Sequence, residues 1–231
     1  MKRIVLSVFV LLSFATTYAF GQDYDARRSS MVESQLVRRG ISDEAVLKAM
    51  RSVPRHSLIP KAYVASAYAD RPLPIGFGQT ISQPFIVAFM TELLALEPGD
   101  RVLEVGTGSG YQASILAEIV GEVYTIEIVP ELASSSELSI QTLGYENIRT
   151  KQADGYYGWE EYAPFDAIIV TAAAEHVPPP LVTQLKNGGR MVIPVGSPFF
   201  TQSLMLVEKS EDRTTTKNMM PVVFVPFTRV N

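Results

Sequence analysis

The sequence predicts an α/β fold of the doubly wound, Rossmann-like kind, a mostly parallel sheet with helices on its faces. Three stretches carry that expectation. Val102 to Val105 is a short apolar run of the kind that fills a buried strand. Gly106, Gly108 and Gly110 follow at alternate positions, and Tyr111 to Val120 then places Ile115, Leu116 and Ile119 at helical spacing. Phe165 to Thr171 is a second clear buried strand, and Glu122 to Ile128 reads as another. Strand, glycine turn and helix form the opening unit of such a sheet, where a nucleotide-like ligand lies across the strand end. Glycine serves there because a side chain would hold the ligand off the backbone and because tight turns often need positive φ.

The glycine spacing is Gly-x-Gly-x-Gly, which departs from the Gly-x-Gly-x-x-Gly of dinucleotide sites. Glu104 sits on the strand just before the first glycine. A carboxylate there would repel a pyrophosphate but suits a cationic ligand such as an amino-acid ammonium. S-adenosylmethionine carries that ammonium, an adenosine and no phosphate. Glu127, near the end of the next strand, is placed to accept from both ribose hydroxyls. The structural alternatives stand beside these readings. Glu104 could cap backbone amides, and Glu127 could serve the start of the helix opened by Pro130 and Glu131.

The chain has 231 residues, 47% hydrophobic and 19% charged, enough for a sizeable core. Its net charge is −4, and its body holds no basic run of the sort that binds nucleic acid. The absence of cysteine excludes disulfides, thiolate metal sites and a cysteine nucleophile. His56 and His176 lie far apart in sequence, and no metal site is expected. Residues 1–22 differ from the rest: Lys2 and Arg3, then an apolar run from Ile4 to Phe14, then small and polar residues through Gln22. This is the plan of a secretory signal peptide, and the run is short for a membrane span. It predicts an exported, periplasmic protein without stable membrane association once the leader is cleaved. An uncleaved anchor is the alternative.

Residues 23–71 read as a helical cap and 72–231 as a catalytic core of the same domain. Asp23 to Arg39 is a surface helix ended by Gly40. Ser42 caps a second helix, Asp43 to Val53, whose buried stripe is Val46, Leu47, Met50 and Val53. The stretch Pro72 to Pro84 reads as a loop. Pro84 suits the first turn of a helix marked by Phe85, Phe89, Leu93 and Leu96. Ser82 therefore stands at a helix N-terminus, and spacing alone favours an N-cap role over anion binding. A weak strand surrounds Ile148. Asp154-Gly155 ends that segment, either as an acceptor for an adenine amino group or as a common turn. Leu181 to Leu185 reads as a helix ended by Asn187-Gly188-Gly189, and Arg190 to Val195 as a strand. Ser203 to Lys209 and Pro221 to Phe227 read as an antiparallel pair at the sheet edge, joined by a polar loop over 210–218.

Four segments resemble the signatures of the protein-L-isoaspartate O-methyltransferases, in the family's order. They are Pro-Leu-Pro-Ile-Gly-Phe-Gly-Gln-Thr-Ile-Ser-Gln-Pro (72–84), Val-Leu-Glu-Val-Gly-Thr-Gly-Ser-Gly-Tyr-Gln (102–112), Ala-Pro-Phe-Asp-Ala-Ile-Ile-Val-Thr-Ala-Ala (163–173) and Gly-Gly-Arg-Met-Val-Ile-Pro-Val-Gly (188–196). The glycine loop is shared by many methyltransferases; Gly-Gln-Thr-Ile-Ser-Gln-Pro is far more specific. The resemblance implies a seven-stranded sheet with S-adenosylmethionine at the switch point and Ser82 as the active-site serine. Thr80, Ile81, Glu104, Gly106, Thr107 and Gly108 would lie with the cofactor, as would Glu127, Asp154 and Gly155. Thr171, Ala172 and Thr228 would border the substrate. Two departures are Ala153 before Asp154, where glycine is usual, and the Ser134-Ser135-Ser136 run. The leader is a third, because the family is mostly cytosolic, and a cytoplasmic location is the alternative to export.

The implied substrate is the free carboxylate of an isoaspartyl residue in damaged proteins and peptides. It is ionised at neutral pH, with a pKa of roughly 3.5, so no general base is needed. Alignment is the protein's task, and a monomer is expected to suffice. No Gly-x-Ser-x-Gly elbow surrounds Ser82, which argues against a covalent nucleophile. A methyltransferase of another class and a non-catalytic binder of damaged peptides are the rival readings.

Overall fold

A computed structural model of the chain describes residues 23–197, 199–211 and 213–229. The leader read over residues 1–22 lies outside them. Among the described residues no helix is long and apolar enough to cross a membrane.

The chain opens with α1 (Tyr24–Met31), which continues through a π turn and a 3-10 turn to Arg39, where Gly40 at φ +93° ends it. α2 spans Glu44–Ser52. Its N-cap is Asp43, whose carboxylate accepts from the Ala45 and Val46 amides, and not Ser42 as its position suggested. The Ser42 and Asp43 amides instead donate to Glu92 at 2.7 and 2.8 Å. Met31, Leu36, Val46 and Met50 join the buried cluster that also holds Tyr111 and Ile115. The Arg55 guanidinium, fully buried, lies 4.8 Å from the Tyr111 ring centre and ties the cap to the core.

Residues 72–84 are not the loop their prolines suggest. β1 (Leu73–Gly76) and β2 (Gln79–Ile81) form an antiparallel hairpin, with Leu73 and Ile75 buried and Pro74 and Gly76 exposed. α3 (Pro84–Leu93) follows with Pro84 in its first turn.

The main sheet is built from β3 (Arg101–Val105), β4 (Glu122–Glu127), β5 (Ile148–Gln152), β6 (Phe165–Val170), β7 (Leu185–Val195), β8 (Gln202–Lys209) and β9 (Thr214–Val222). Their order across the sheet is β5-β4-β3-β6-β7-β8-β9. The first five are parallel, and β7-β8 and β8-β9 are antiparallel. Alternation divides the core between the two faces, with Val102, Val123 and Ala167 in one cluster and Leu103, Tyr124 and Ile168 in the other. Around the sheet lie α4 (Tyr111–Ala117), α5 (Pro130–Thr142) and α6 (Pro179–Gln184). The serine run in α5 is tolerated because Ser134, Ser135 and Ser136 donate back to the carbonyls of Pro130, Leu132 and Ala133.

Two boundaries differ from expectation. Asn187-Gly188-Gly189 does not end a helix but belongs to β7, where the register with β6 shifts between Phe165 and Ala167. The last strand is Thr214–Val222 rather than 221–227. Residues 223–229 leave the sheet and cross the end of β6 as a strap, pinned by hydrogen bonds from Ala173 N–H to Val225 O and from Phe227 N–H to Ala173 O.

Candidate functional site

The order of the parallel strands reverses between β3 and β6: the chain steps outward from β3 to β4 and β5 on one side and from β6 to β7 on the other. Ligands of open α/β sheets bind at the carboxyl ends of such strands. A narrow cavity of about 60 Å³ lies there, lined by Thr80, Gly106, Gly108, Glu127, Gly155, Thr171, Ala172 and Thr228, with Val225 to Phe227 of the strap on its wall. It adjoins a groove of about 340 Å³, with Thr80, Thr171 and Val225 common to both. Ser82 lines that groove.

The glycine turn is closed from beneath. Gly106 has φ +101°, and a Cβ built on it would overlap the Thr171 hydroxyl. That hydroxyl donates to Gly106 O at 2.7 Å and to Val105 O at 3.1 Å, clamping the end of β3 against β6. Gly108 donates its amide to Glu127 at 2.8 Å. The other oxygen of Glu127 accepts from the Ile128 and Val129 amides, each at 2.9 Å, at the mouth of α5. Glu127 thus holds both the turn and the helix start while still facing the cavity. A carboxylate has about four acceptor positions, and three are occupied.

Glu104 is placed differently. It is fully buried, pairs in register with Thr125 across β3-β4, and reaches no wall of the cavity. Thr125 donates to one of its oxygens at 2.5 Å, and the Thr107 hydroxyl lies 2.6 Å from that of Thr125. The other oxygen has no partner among the described residues. Burial pushes the Glu104 carboxyl up to about 8; the Thr125 hydrogen bond opposes this and the nearby Glu127 charge adds to it. Thr107, also buried, belongs to this chain of hydroxyls and not to the cavity wall.

Ser82 is not the helix cap. The N-cap position is Gln83, and no side chain caps it. Among the described residues the Ser82 hydroxyl has no hydrogen-bond partner. Ser82, Ile81, Thr80, Gly106 and Thr171 together line one small cavity, so the serine and the glycine turn face the same space. Asp154 is turned away from the main cavity, which only its neighbour Gly155 lines. One Asp154 oxygen accepts from Tyr156 N–H at 3.0 Å and the other from Arg229 at 2.8 Å. Arg229, Arg39 and the strap residues other than Thr228 were not singled out in the sequence. The Phe-Val-Pro-Phe run before Thr228 was their one visible signal.

The donor set fits S-adenosylmethionine. Among the described residues Glu127 is the one charged residue on the cavity wall, and its carboxylate disfavours a phosphate. A sugar facing Glu127 suits the site.

The comparisons agree. The model of the protein-L-isoaspartate(D-aspartate) O-methyltransferase family matches residues 26–231. A protein-L-isoaspartate O-methyltransferase 2 of Syntrophobacter fumaroxidans is 54% identical over 234 residues, covering 96% of this chain and 95% of its own length. A protein-L-isoaspartate O-methyltransferase of Opitutus terrae is 53% identical over 227 residues, with 98% and 97% covered. A solved Plasmodium falciparum structure, described as this methyltransferase in complex with S-adenosyl-L-homocysteine, superposes with a TM-score of 0.76 at 30% identity. It covers 87% of this chain and 98% of its own. The chain therefore belongs to the protein-L-isoaspartate(D-aspartate) O-methyltransferase family.

Proposed function

We propose that Ser82 aligns the free carboxylate of L-isoaspartyl residues, in damaged proteins and peptides, for methylation on the floor formed by Gly106 and Thr171. Family membership makes the chain an S-adenosylmethionine-dependent carboxyl methyltransferase. The observation that carries the residue assignment is the shared cavity of Ser82 and the glycine turn.

When bound, S-adenosylmethionine supplies an electrophilic methyl on a sulfonium. The residues of this chain do the rest by position. Glu127, with one acceptor position left, takes a ribose hydroxyl. Thr80, Ile81, Gly106, Gly108 and Gly155 shape the walls. Glu104 and Thr107 act through the hydroxyl chain beneath the turn instead of by direct contact. Asp154 serves the adenine end only when Arg229 shares it. Thr171, Ala172 and Thr228 border the substrate.

The isoaspartyl carboxylate needs no base, because it is already ionised with a pKa of roughly 3.5. The Ser82 hydroxyl, without an internal partner, donates to one carboxylate oxygen and leaves the other to attack. That oxygen would take the methyl that bound S-adenosylmethionine would supply, the bonding electron pair staying with sulfur. Alignment of this kind supplies on the order of 7 kcal/mol of the barrier in favourable cases. The backbone nitrogen next in the substrate then closes on the ester carbonyl, expelling methanol and giving a succinimide that opens in part to normal aspartate.

The described chain works as a monomer in which 23–71 cap the 72–231 core, and the leader-like residues 1–22 direct export. Incubation with labelled S-adenosylmethionine tests the reaction: an isoaspartyl peptide acquires label and its aspartyl counterpart does not. Equal labelling of both would point to a methyltransferase of another substrate.

A further inference from the structure

Among the described residues, Arg39 is the one charged residue on the wall of the 340 Å³ groove that also holds Ser82, Thr80 and Thr171. It comes from the far end of the chain's first helical run, next to Gly40. Its guanidinium lies 3.4 Å from the Phe85 ring centre, and one terminal nitrogen donates to Asp70 at 2.8 Å. Those two contacts fix the plane of the group. Its Nε and remaining terminal nitrogen have no partner among the described residues. The side chain is 41% exposed. A planar cation, held on an aromatic face with donors to spare, is suited to a carboxylate.

We propose that Arg39 recognises the charge of the substrate carboxylate and thereby distinguishes substrate from product. Ser82 is a neutral donor and would hold an acid or its methyl ester with similar ease. The acid carries a full negative charge and the ester none. Across a walled groove the attraction to Arg39 is screened less than in open solution. Methylation removes the charge, so the ester loses that hold as it forms and leaves the groove more readily. Arg39 is on this account a specificity residue of the binding step. It is not needed for transfer itself, because a guanidinium clamped on the attacking oxygen would blunt its nucleophilicity.

The inference rests on the proposed function, and the experiment separates the two. The full chain and its Arg39→Gln and Arg39→Lys variants are assayed with an isoaspartyl peptide, and binding is measured with the matching carboxamide (isoasparaginyl) peptide. Arg39→Gln is expected to raise KM for the isoaspartyl peptide about tenfold and leave kcat within about twofold, as loss of a charge-assisted contact implies. Arg39→Lys should recover part of the loss. The carboxamide, which has no charge to read, should bind the parent and Arg39→Gln alike. Raising the salt should increase KM for the parent and leave that of Arg39→Gln nearly flat. Equal weakening of acid and carboxamide binding would make Arg39 a mere groove support and overturn the inference, as would an unchanged KM. If the parent methylates no isoaspartyl peptide at all, it is the proposed function that fails. Should Arg39→Gln not fold, the comparison of acid with carboxamide on the parent decides: equal affinities overturn the inference, and tighter, salt-sensitive binding of the acid supports it.

Discussion

Arg229, near the end of the chain, donates to Asp154 at 2.8 Å and lies 3.7 Å from the Tyr156 ring centre, 75 residues away in sequence from its carboxylate partner. The pair closes the free end of the strap that walls the cavity. Further along, Phe224 N–H is held by Gln202 at 2.9 Å. The cavity of about 60 Å³ is well below the roughly 300 Å³ of an ordinary small-molecule site, and strap residues 225–228 are part of its wall. An exposed ion pair with a stacked ring is a weak latch, screened by solvent. Arg229→Gln should therefore speed both association and release of S-adenosylhomocysteine about five- to tenfold. Stopped-flow measurements with the two proteins check this, and identical rates would show that the pair does not gate the site.

Ser82 has the opposite character, a hydroxyl without an internal partner at the meeting point of groove and turn. Because it caps no helix, Ser82→Ala should leave the melting temperature almost unchanged. Methylation of an isoaspartyl peptide should fall at least about tenfold, with cofactor affinity retained. Turnover equal to that of the parent chain would remove Ser82 from the catalytic step.

Gly106 tests the floor of the site. Its φ of +101° and the overlap of any Cβ with the Thr171 hydroxyl make Gly106→Ala doubly unfavourable. The left-handed backbone alone costs about 1–2 kcal/mol, and the clash adds to it. Thermal denaturation should show the loss. Adding Thr171→Ala removes the clashing oxygen, so the double variant should recover part of the stability and keep the part due to φ. Strict additivity of the two substitutions would mean that the contact does not matter.

What the sequence revealed follows from where its information is local. The alternation Val102-Leu103-Glu104-Val105 and the run Phe165 to Val170 name their strands because both faces of a central strand are buried. β9 escaped because it is an edge strand: Thr214 to Asn218 is polar and Val222 is its one buried residue, so its pattern imitates a loop. Pro221 is tolerated there for the same reason. The hairpin of β1 and β2 hid behind its prolines, although the buried pair Leu73 and Ile75 did alternate. At the site, Gly106, Glu127 and Ser82 were legible through short motifs. Arg39 and Arg229 were not, because their partners Phe85 and Asp154 stand 46 and 75 positions away and only the fold joins them. Glu104 was legible as an acid at the right place but not as a buried one: its depth depends on β4 and β6 covering β3 on both sides.

That burial gives Glu104 a measurable signature. Its carboxyl is pushed up to about 8 by desolvation, whereas in the unfolded chain it titrates near 4.5. Between those values the folded protein holds a proton that the unfolded chain has released. Its contribution to stability is therefore complete below about pH 4.5 and is lost as pH rises through about 8. Glu104→Gln keeps the shape and the Thr125 contact but cannot ionise. It should match the parent chain near pH 5 and exceed it at pH 9 by on the order of a few kcal/mol, read from urea unfolding across the range. A cationic ligand at the turn above would favour the ionised acid. Cofactor binding at pH 7 should then release protons from the parent and fewer from Glu104→Gln, seen as a dependence of the calorimetric heat on buffer ionisation enthalpy. Parallel stability profiles for the two proteins from pH 5 to 9 would show that Glu104 is ionised throughout, and the orphaned oxygen would then need another explanation.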